Sequence, residues 1–286
     1  MNTPPPYLED PGLAEIEVIA CDMDLTLLED DKTLPQGIFE RIAALDRADV
    51  VFCPASGRPL SSLETLFAPT APRMAFMADN GGLVTFRGAV VFKDLLAPAV
   101  YQEICAACLE SVPGAVPVVC GFDRAYVLAA HRAYHEMLSI YYLDIEYVER
   151  FEGLEVEADK ATILFPDYDS ERWFDEVFGP RFASWITCTC AGREWMDFMN
   201  PGVNKGAGLA RLCAHMGAPL ARAAAFGDTD NDAQMLEAAG HGFLMANADA
   251  HMYAHASYLV PSNQEHGVLQ AIDAILAAKG VLQRCG

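Results

Sequence analysis

Apolar runs of four to six residues alternate with longer stretches of helical periodicity over most of this chain. Ile16 to Cys21, Val50 to Cys53 and Met74 to Met77 are short and rich in β-branched or aromatic residues, the pattern of buried strands. Between them, Pro35 to Asp49 carries Ile38, Ile42 and Leu45 at helical spacing, with Pro35 near its start. Leu60 to Phe67 reads as a second, shorter helix. The alternation resumes late in the chain. A helix is predicted over Lys205 to Met216, then a strand at Arg222 to Phe226 and a helix at Asp230 to Ala239. Gly242 to Met245, Ala248 to Ala256, Tyr258 to Val260 and Gly267 to Lys279 continue it. Strands separated by helices predict an α/β fold with a doubly wound parallel sheet.

The middle of the chain differs. Asn80-Gly81 is a strong hairpin signal between Met74–Met77 and Leu83–Phe86. From about Thr85 to Trp195 the pattern is α+β. Strands are predicted at Val90 to Phe92, Val116 to Cys120, Tyr126 to Leu128, Ile145 to Val148 and Ala161 to Phe165. Helices are predicted at Ala99 to Leu109, Arg132 to Tyr142 and Ser170 to Phe178, and a strand pair at Ser184 to Cys190 and Glu194 to Phe198 closes the insert. The expected organisation is a loose proline-rich tail at residues 1–14, a core built from 15–84 and 196–286, and an inserted domain over 85–195. No internal repeat or low-complexity segment interrupts it.

The composition narrows the partners. Forty acidic residues against nineteen basic ones give a formal charge of -21. That field repels nucleic acid and anionic membranes, so neither is expected as a partner. It also repels phosphate esters, so a site for one needs local cations. Nine cysteines are an odd number in a chain too large to need disulfides. Reduced thiols and a cytoplasmic location are the expectation. Cys105/Cys108 and Cys188/Cys190 lack the paired spacing of a zinc site. Met1 to Pro11 has neither the basic start nor the apolar stretch of a leader or membrane span. Oligomeric state is not legible.

Chemistry concentrates at strand ends. Val18-Ile19-Ala20-Cys21-Asp22-Met23-Asp24-Leu25-Thr26 ends an apolar run in two carboxylates and a hydroxyl. In extended backbone, positions i and i+2 share a side, so Asp22 and Asp24 are expected in one site. Two anions so close call for a cation or a shared proton. In open α/β sheets ligands bind at the carboxyl ends of strands, where this pair falls. Ser56-Gly57-Arg58 follows the second strand. Lys205 opens a helix after Asn200-Pro201-Gly202-Val203-Asn204, and Gly227-Asp228-Thr229-Asp230-Asn231-Asp232 follows the strand at Ala223 to Phe226.

These four segments in this order resemble the haloacid dehalogenase superfamily of phosphatases, in particular its Cof-type branch, whose large cap lies between the second and third motifs. Asn80-Gly81, Met245-Ala246-Asn247-Ala248, and Asn263 with Gly267-Val268 extend the resemblance across the core. It implies a Rossmann-like core with an inserted α+β cap, and a Mg²⁺-dependent phosphatase of a small phosphorylated metabolite such as a sugar phosphate. Asp22 would be the nucleophile forming an aspartyl-phosphate. Asp24 would be general acid and then base, oriented by Thr26. Ser56, Gly57 and Lys205 would hold the phosphate, and Asn80 would lie near the substrate. Asn231 would reach the phosphate or hold its loop. Magnesium would take Asp22, Asp228, the backbone carbonyl of Asp24 and, directly or through water, Asp232.

Other readings of the same residues stand beside these. Thr26 and Ser56 are also common turn residues. Lys205 could be a solvated charge, and Asp230 and Asp232 could serve the helix that follows; Asp230 is assigned that structural part. Arg58 either contacts substrate or pairs with an acidic side chain. Tyr134, Tyr141, Tyr142 and Tyr147 either line a specificity site or pack. His131/His135 and His251/His255, four apart, are surface or packing residues, and Asp30 and Asp31 form a solvated turn. Leu25 stands where many relatives carry Gly, so the loop after the first motif is expected to differ. A phosphoryl transferase or mutase on the same scaffold is the nearest alternative function. A receiver-like or catalytically silent phosphate-binding protein is the alternative from another class.

Overall fold

The computed structural model describes residues 3–122 and 124–281. The chain forms two compact units, one of residues 1–57, 63–92 and 204–286, the other of 58–62 and 93–203.

The first unit begins with β1 (Val18–Asp22), β2 (Val51–Ala55) and β3 (Ala75–Ala78), all fully buried. β1 pairs β2, and β2 pairs β3, in parallel. β4 (Leu83–Phe86) returns antiparallel on β3 through the Asn80-Gly81 turn, with Ala78 opposite Leu83. β5 (Ala89–Lys93) completes that edge. The second unit carries β6 (Val116–Gly121), β7 (Ala125–Leu128), β8 (Ile145–Val148), β9 (Ala158–Leu164), β10 (Thr187–Cys190) and β11 (Trp195–Met199). They form one sheet of order β10-β11-β9-β6-β7-β8, antiparallel except for β7 on β8. The first unit then resumes with β12 (Ala223–Gly227), β13 (His241–Met245) and β14 (Tyr258–Val260).

The first unit's sheet has the order β14-β13-β12-β1-β2-β3-β4-β5. Strand order reverses at β1, which lies between β2 and β12. Cys21 pairs with Phe226, so the strand ends carrying Asp22 and Asp228 lie side by side. This is the crevice where open α/β sheets hold ligands. The helix Lys205–Met216 packs Leu209 and Leu212 into the core with Val18, Ala20, Cys53 and Met77. The second unit has its own core, in which Tyr101, Ile104, Phe178, Phe182 and Phe198 meet.

Several local expectations need correction. Val90 to Phe92, predicted in the insert, belongs to β5 of the first sheet, and the second unit takes Arg58–Ser62 together with Lys93–Val203 where 85–195 was expected. The stretch expected as a loose tail is tied to the first unit from Pro5 onward. Leu259 N–H donates to Pro5 O (2.8 Å), and Asp10 pairs with His241 in the interior (2.6 Å). Buried Tyr7 and Leu13 anchor it, an apolar pattern too short to stand out from a proline-rich background. Ala248 to Ala256 forms 3-10 turns over Ala250–His255 rather than an α-helix. Likewise Arg132 to Tyr142 keeps only one short α-helix, His135–Leu138. Among the described residues no helix is long and apolar enough to cross a membrane.

Candidate active site

β1 is apolar up to Cys21 and ends in Asp22, whose side chain is buried. The chain leaves the sheet immediately in a wide turn closed by Leu28 N–H to Met23 O (2.8 Å). Within it Asp24 is extended and Leu25 is left-handed, with φ of 61°. Because the strand stops at Asp22, the alternation that would place Asp22 and Asp24 together does not continue. Their surroundings differ: Asp22 is buried, and the Asp24 side chain is 40% exposed and accepts from Lys32 Nζ at 2.9 Å.

The partners of Asp22 come from the other end of the chain. Asn204 caps the helix Lys205–Met216, its side chain accepting from Ala207 N–H (2.8 Å), and so fixes Lys205 in the first turn. Gly81 sits at φ of 94°, and a Cβ there would lie 2.6 Å from the Asn204 carbonyl. Only glycine lets the Asn80-Gly81 turn approach the start of that helix so closely. Lys205 is wholly buried and donates to Asp22 Oδ1 and Asp232 Oδ1, each at 2.6 Å.

Asp232 is held from three sides. Its second oxygen accepts from the backbone N–H groups of Asp228 (3.0 Å) and Thr229 (3.2 Å), closing a capping box with Thr229. A Cβ on Gly227 would lie 2.4 Å from Asp232 Cβ, so the strand-end glycine makes room for this side chain. The helix-start role and the buried ionic role thus belong to one residue. Asp230 opens the same turn, is exposed, and pairs with His251 (2.6 Å). His255 likewise meets Glu237 at 2.6 Å, so the second histidine pair serves the surface.

Thr26 is a correction. Its hydroxyl donates to Asp228 Oδ1 at 2.8 Å rather than orienting Asp24, since the left-handed Leu25 turns the chain between them. Carboxylate oxygens of Asp22, Asp228 and Asp232 lie within 4.8 Å of one another. Burial, followed by repulsion from Asp232, pushes the Asp22 carboxyl well above the carboxylate range, while Lys205 pulls it down. Burial lifts Asp228 to about 6 against the Thr26 hydrogen bond. Burial also opposes the charge on Lys205, but Asp22 and Asp232 outweigh it and raise its pKa. Three buried carboxylates facing one ammonium leave excess negative charge that a cation or protons must offset.

This donor set fits a divalent cation. Asp22 and Asp228 supply hard oxygen ligands from adjacent strand ends. Asp232, with one oxygen on Lys205 and the other on two N–H groups, suits contact through water.

Ser56 follows β2 and is buried, with its N–H on Met77 O and its carbonyl accepting from Asn80 N–H, both at 2.9 Å. A Cβ on Gly57 would lie 3.2 Å from the Asn80 amide. Asn80 is left-handed, φ 54°, and its Oδ1 accepts from Asn231 Nδ2 at 3.4 Å. Ser56, Gly57, Asn80 and Asn231 are therefore one neighbourhood, and Asn231 links the loops after β3 and β12. Arg58 falls in the second unit with residues 58–62.

Lys32 was not singled out from the sequence. The available signal is a cation standing alone after Glu29-Asp30-Asp31. Asn247 and Asn263 support the same loop. Asn247 donates to Leu25 O (2.8 Å) and accepts from Asn263 N–H (3.2 Å), and Asn263 Nδ2 donates to Leu28 O (3.1 Å) and Asp30 Oδ1 (3.2 Å).

Comparison with known proteins identifies relatives over nearly the whole chain. A family model for haloacid dehalogenase-like hydrolase matches residues 19–272. The 5-amino-6-(5-phospho-D-ribitylamino)uracil phosphatase YbjI of Escherichia coli is 32% identical, covering 91% of this chain and 96% of that protein. A phosphoglycolate phosphatase of Natronomonas pharaonis is 27% identical over 89% of this chain and 96% of its own length. The crystal structure of SMU.1108c from Streptococcus mutans superposes with a TM-score of 0.82 at 28% identity, covering 92% of this chain and 99% of that one.

Proposed function

The chain belongs to the haloacid dehalogenase-like hydrolases, and from that premise we propose that it is a Mg²⁺-dependent phosphatase acting on a small phosphorylated metabolite through an aspartyl-phosphate on Asp22. Its reaction class is hydrolysis of phosphate monoesters. The observation that carries the reading is the buried set of Asp22, Asp228, Asp232 and Lys205 at adjoining strand ends.

A carboxylate must approach a phosphoryl group that is itself an anion, so the surroundings have to cancel repulsion. Mg²⁺ bound by Asp22 and Asp228, with the Asp24 carbonyl and Asp232 in support, would supply that charge and align the phosphate. Lys205 holds Asp22 by Oδ1, which would leave its other oxygen to attack the phosphorus. Ser56 and the N–H groups of Met23 and Gly57 hold the non-bridging oxygens. Asp24 gives a proton to the leaving oxygen and then takes one from water, a part worth about 10²–10⁴ in rate. Its exposure supports that part, because a proton shuttle needs contact with solvent and leaving group. The second unit is assigned the choice among phosphate esters, the part that the family resemblance implies for the inserted domain. The two relatives named above act on unlike phosphate esters, one carrying a ribityl chain and the other a carboxylate. Sugar phosphates and similar metabolites are the class proposed here.

Trapping the intermediate tests this. Asp24→Asn mixed with p-nitrophenyl phosphate and Mg²⁺, then quenched in acid, is expected to gain the mass of one phosphoryl group, located on the peptide containing Asp22. The phenolate leaves without a proton, so the first step survives while hydrolysis stalls. A phosphoryl group on any other residue removes Asp22 as nucleophile.

A further inference from the structure

Lys32 has no part in the chemistry derived above, yet its ammonium is bonded to the carboxylate that handles the leaving group. Its position is built rather than incidental. Lys32 N–H donates to Glu29 O (2.9 Å), and Glu29 N–H donates to Thr33 O (3.0 Å). The Asp31 carboxylate accepts from the Thr33 N–H (3.0 Å) and hydroxyl (2.6 Å). Asn263 fastens the loop at Leu28 and Asp30. Lys32 itself is left-handed, with φ of 68°, a conformation that costs a side-chain-bearing residue free energy. The loop is therefore held by its backbone and by Asn263, and not by the Lys32 side chain.

Charge makes this cation unusual. The chain carries a formal charge of -21, and Lys205 is wholly buried and committed to two carboxylates. The Lys32 side chain, in contrast, is 54% exposed, and an exposed pair such as Lys32–Asp24 is weak and separable.

We propose that Lys32 is a substrate-contacting residue, which rests on Asp24 in the free enzyme and donates to an oxygen on the carbon next to the ester once substrate binds. The inference rests on the phosphatase reading above and specifies its substrates: phosphate esters with a hydroxyl or other oxygen beside the ester carbon. Nζ lies 2.9 Å from Asp24 Oδ1. Asp24 must come within about 2.6–3.2 Å of the ester oxygen to protonate it. Two such links meeting at one carboxylate oxygen put the ammonium at most about 6 Å from that oxygen, and about 5 Å at an ordinary hydrogen-bond angle, so a hydroxyl on the neighbouring carbon can reach Nζ beside Asp24. An alkyl or aryl ester offers nothing there and leaves Lys32 on Asp24.

A matched pair of substrates tests it: sn-glycerol 3-phosphate and n-propyl phosphate, alike in carbon number and differing only in hydroxyls, each assayed with Mg²⁺ beside p-nitrophenyl phosphate. The wild type is expected to favour glycerol phosphate in kcat/KM by about tenfold or more, the size of one charge-assisted hydrogen bond. Lys32→Met should cut that ratio by about tenfold, and Lys32→Arg should restore part of it. A merely structural Lys32 would lower both substrates alike and leave the ratio unmoved, and that result overturns the proposal, as does a wild type without the preference. Failure of the wild type to turn over even p-nitrophenyl phosphate refutes the phosphatase reading, and this proposal with it.

Discussion

Leu25 carries a side chain at φ of 61°, in the turn Met23–Leu27 that follows Asp22. A Cβ in the left-handed region costs roughly 1–2 kcal/mol, which glycine avoids. The Leu25 side chain is 44% exposed, so its burial offsets only part of that cost. Leu25→Gly is therefore expected to raise stability by about 0.5–1 kcal/mol in urea unfolding, after allowing for the greater freedom of the unfolded chain. Leu25→Ala keeps the Cβ and should bring no gain. A Gly variant less stable than the wild type would mean that the side chain's contacts outweigh the strain. The same turn explains why Thr26 bonds Asp228 and not Asp24, while Asp22, the last residue of β1, stays beside Asp228, Asp232 and Lys205. The i, i+2 rule for Asp22 and Asp24 holds only while the chain stays extended, and the turn that begins at Met23, with left-handed Leu25 before Thr26, is a break that periodicity does not announce.

The loop from Leu28 to Thr33 depends on side chains more than two hundred residues away. Asn263 satisfies the buried Leu28 carbonyl and ties it to Asp30. Removing that amide strands a buried acceptor, at about 1–3 kcal/mol. Asn263→Ala should lose about 1–2 kcal/mol in urea unfolding and exchange the amide hydrogens of residues 28–33 faster than the wild type. Unchanged exchange there would show that the loop holds its own shape. At this scale the core was largely legible, because buried parallel strands such as β1, β2 and β12 write themselves as apolar runs ending in polar residues. β5 was misassigned because Val90 to Phe92 follows a turn and is half exposed, so nothing in its composition ties it to either sheet. The helix predicted over Arg132 to Tyr142 was overextended, because helical periodicity continues through turns that tertiary packing bends, whereas Ser170 to Phe178 is helical throughout and the helix runs on to Phe182. Lys32 was missed because its partner is set by the turn geometry, not by spacing.

Over the whole molecule, the acidic excess meets its sharpest conflict at the strand ends. Burial lifts Asp228 to about 6, and raises Asp22 as well, in the metal-free chain. A carboxyl with a higher pKa folded than unfolded favours folding at low pH, and that contribution fades as pH rises through the folded value. The metal-free protein should thus lose this stabilisation between about pH 4 and pH 7. A divalent cation takes the place of the protons, so Mg²⁺ should raise Tm more at about pH 7.5 than at about pH 5. Equal shifts at both would mean that the cation does not compete with these protons. The central claim, a phosphatase whose buried carboxylates work through a divalent cation, is met most directly by steady-state hydrolysis of p-nitrophenyl phosphate with Mg²⁺, with EDTA, and with Mg²⁺ on Asp22→Asn. The account predicts turnover in the first case, none in the second, and no more than a trace in the third with the fold intact. Full activity in EDTA, or in folded Asp22→Asn, would contradict it.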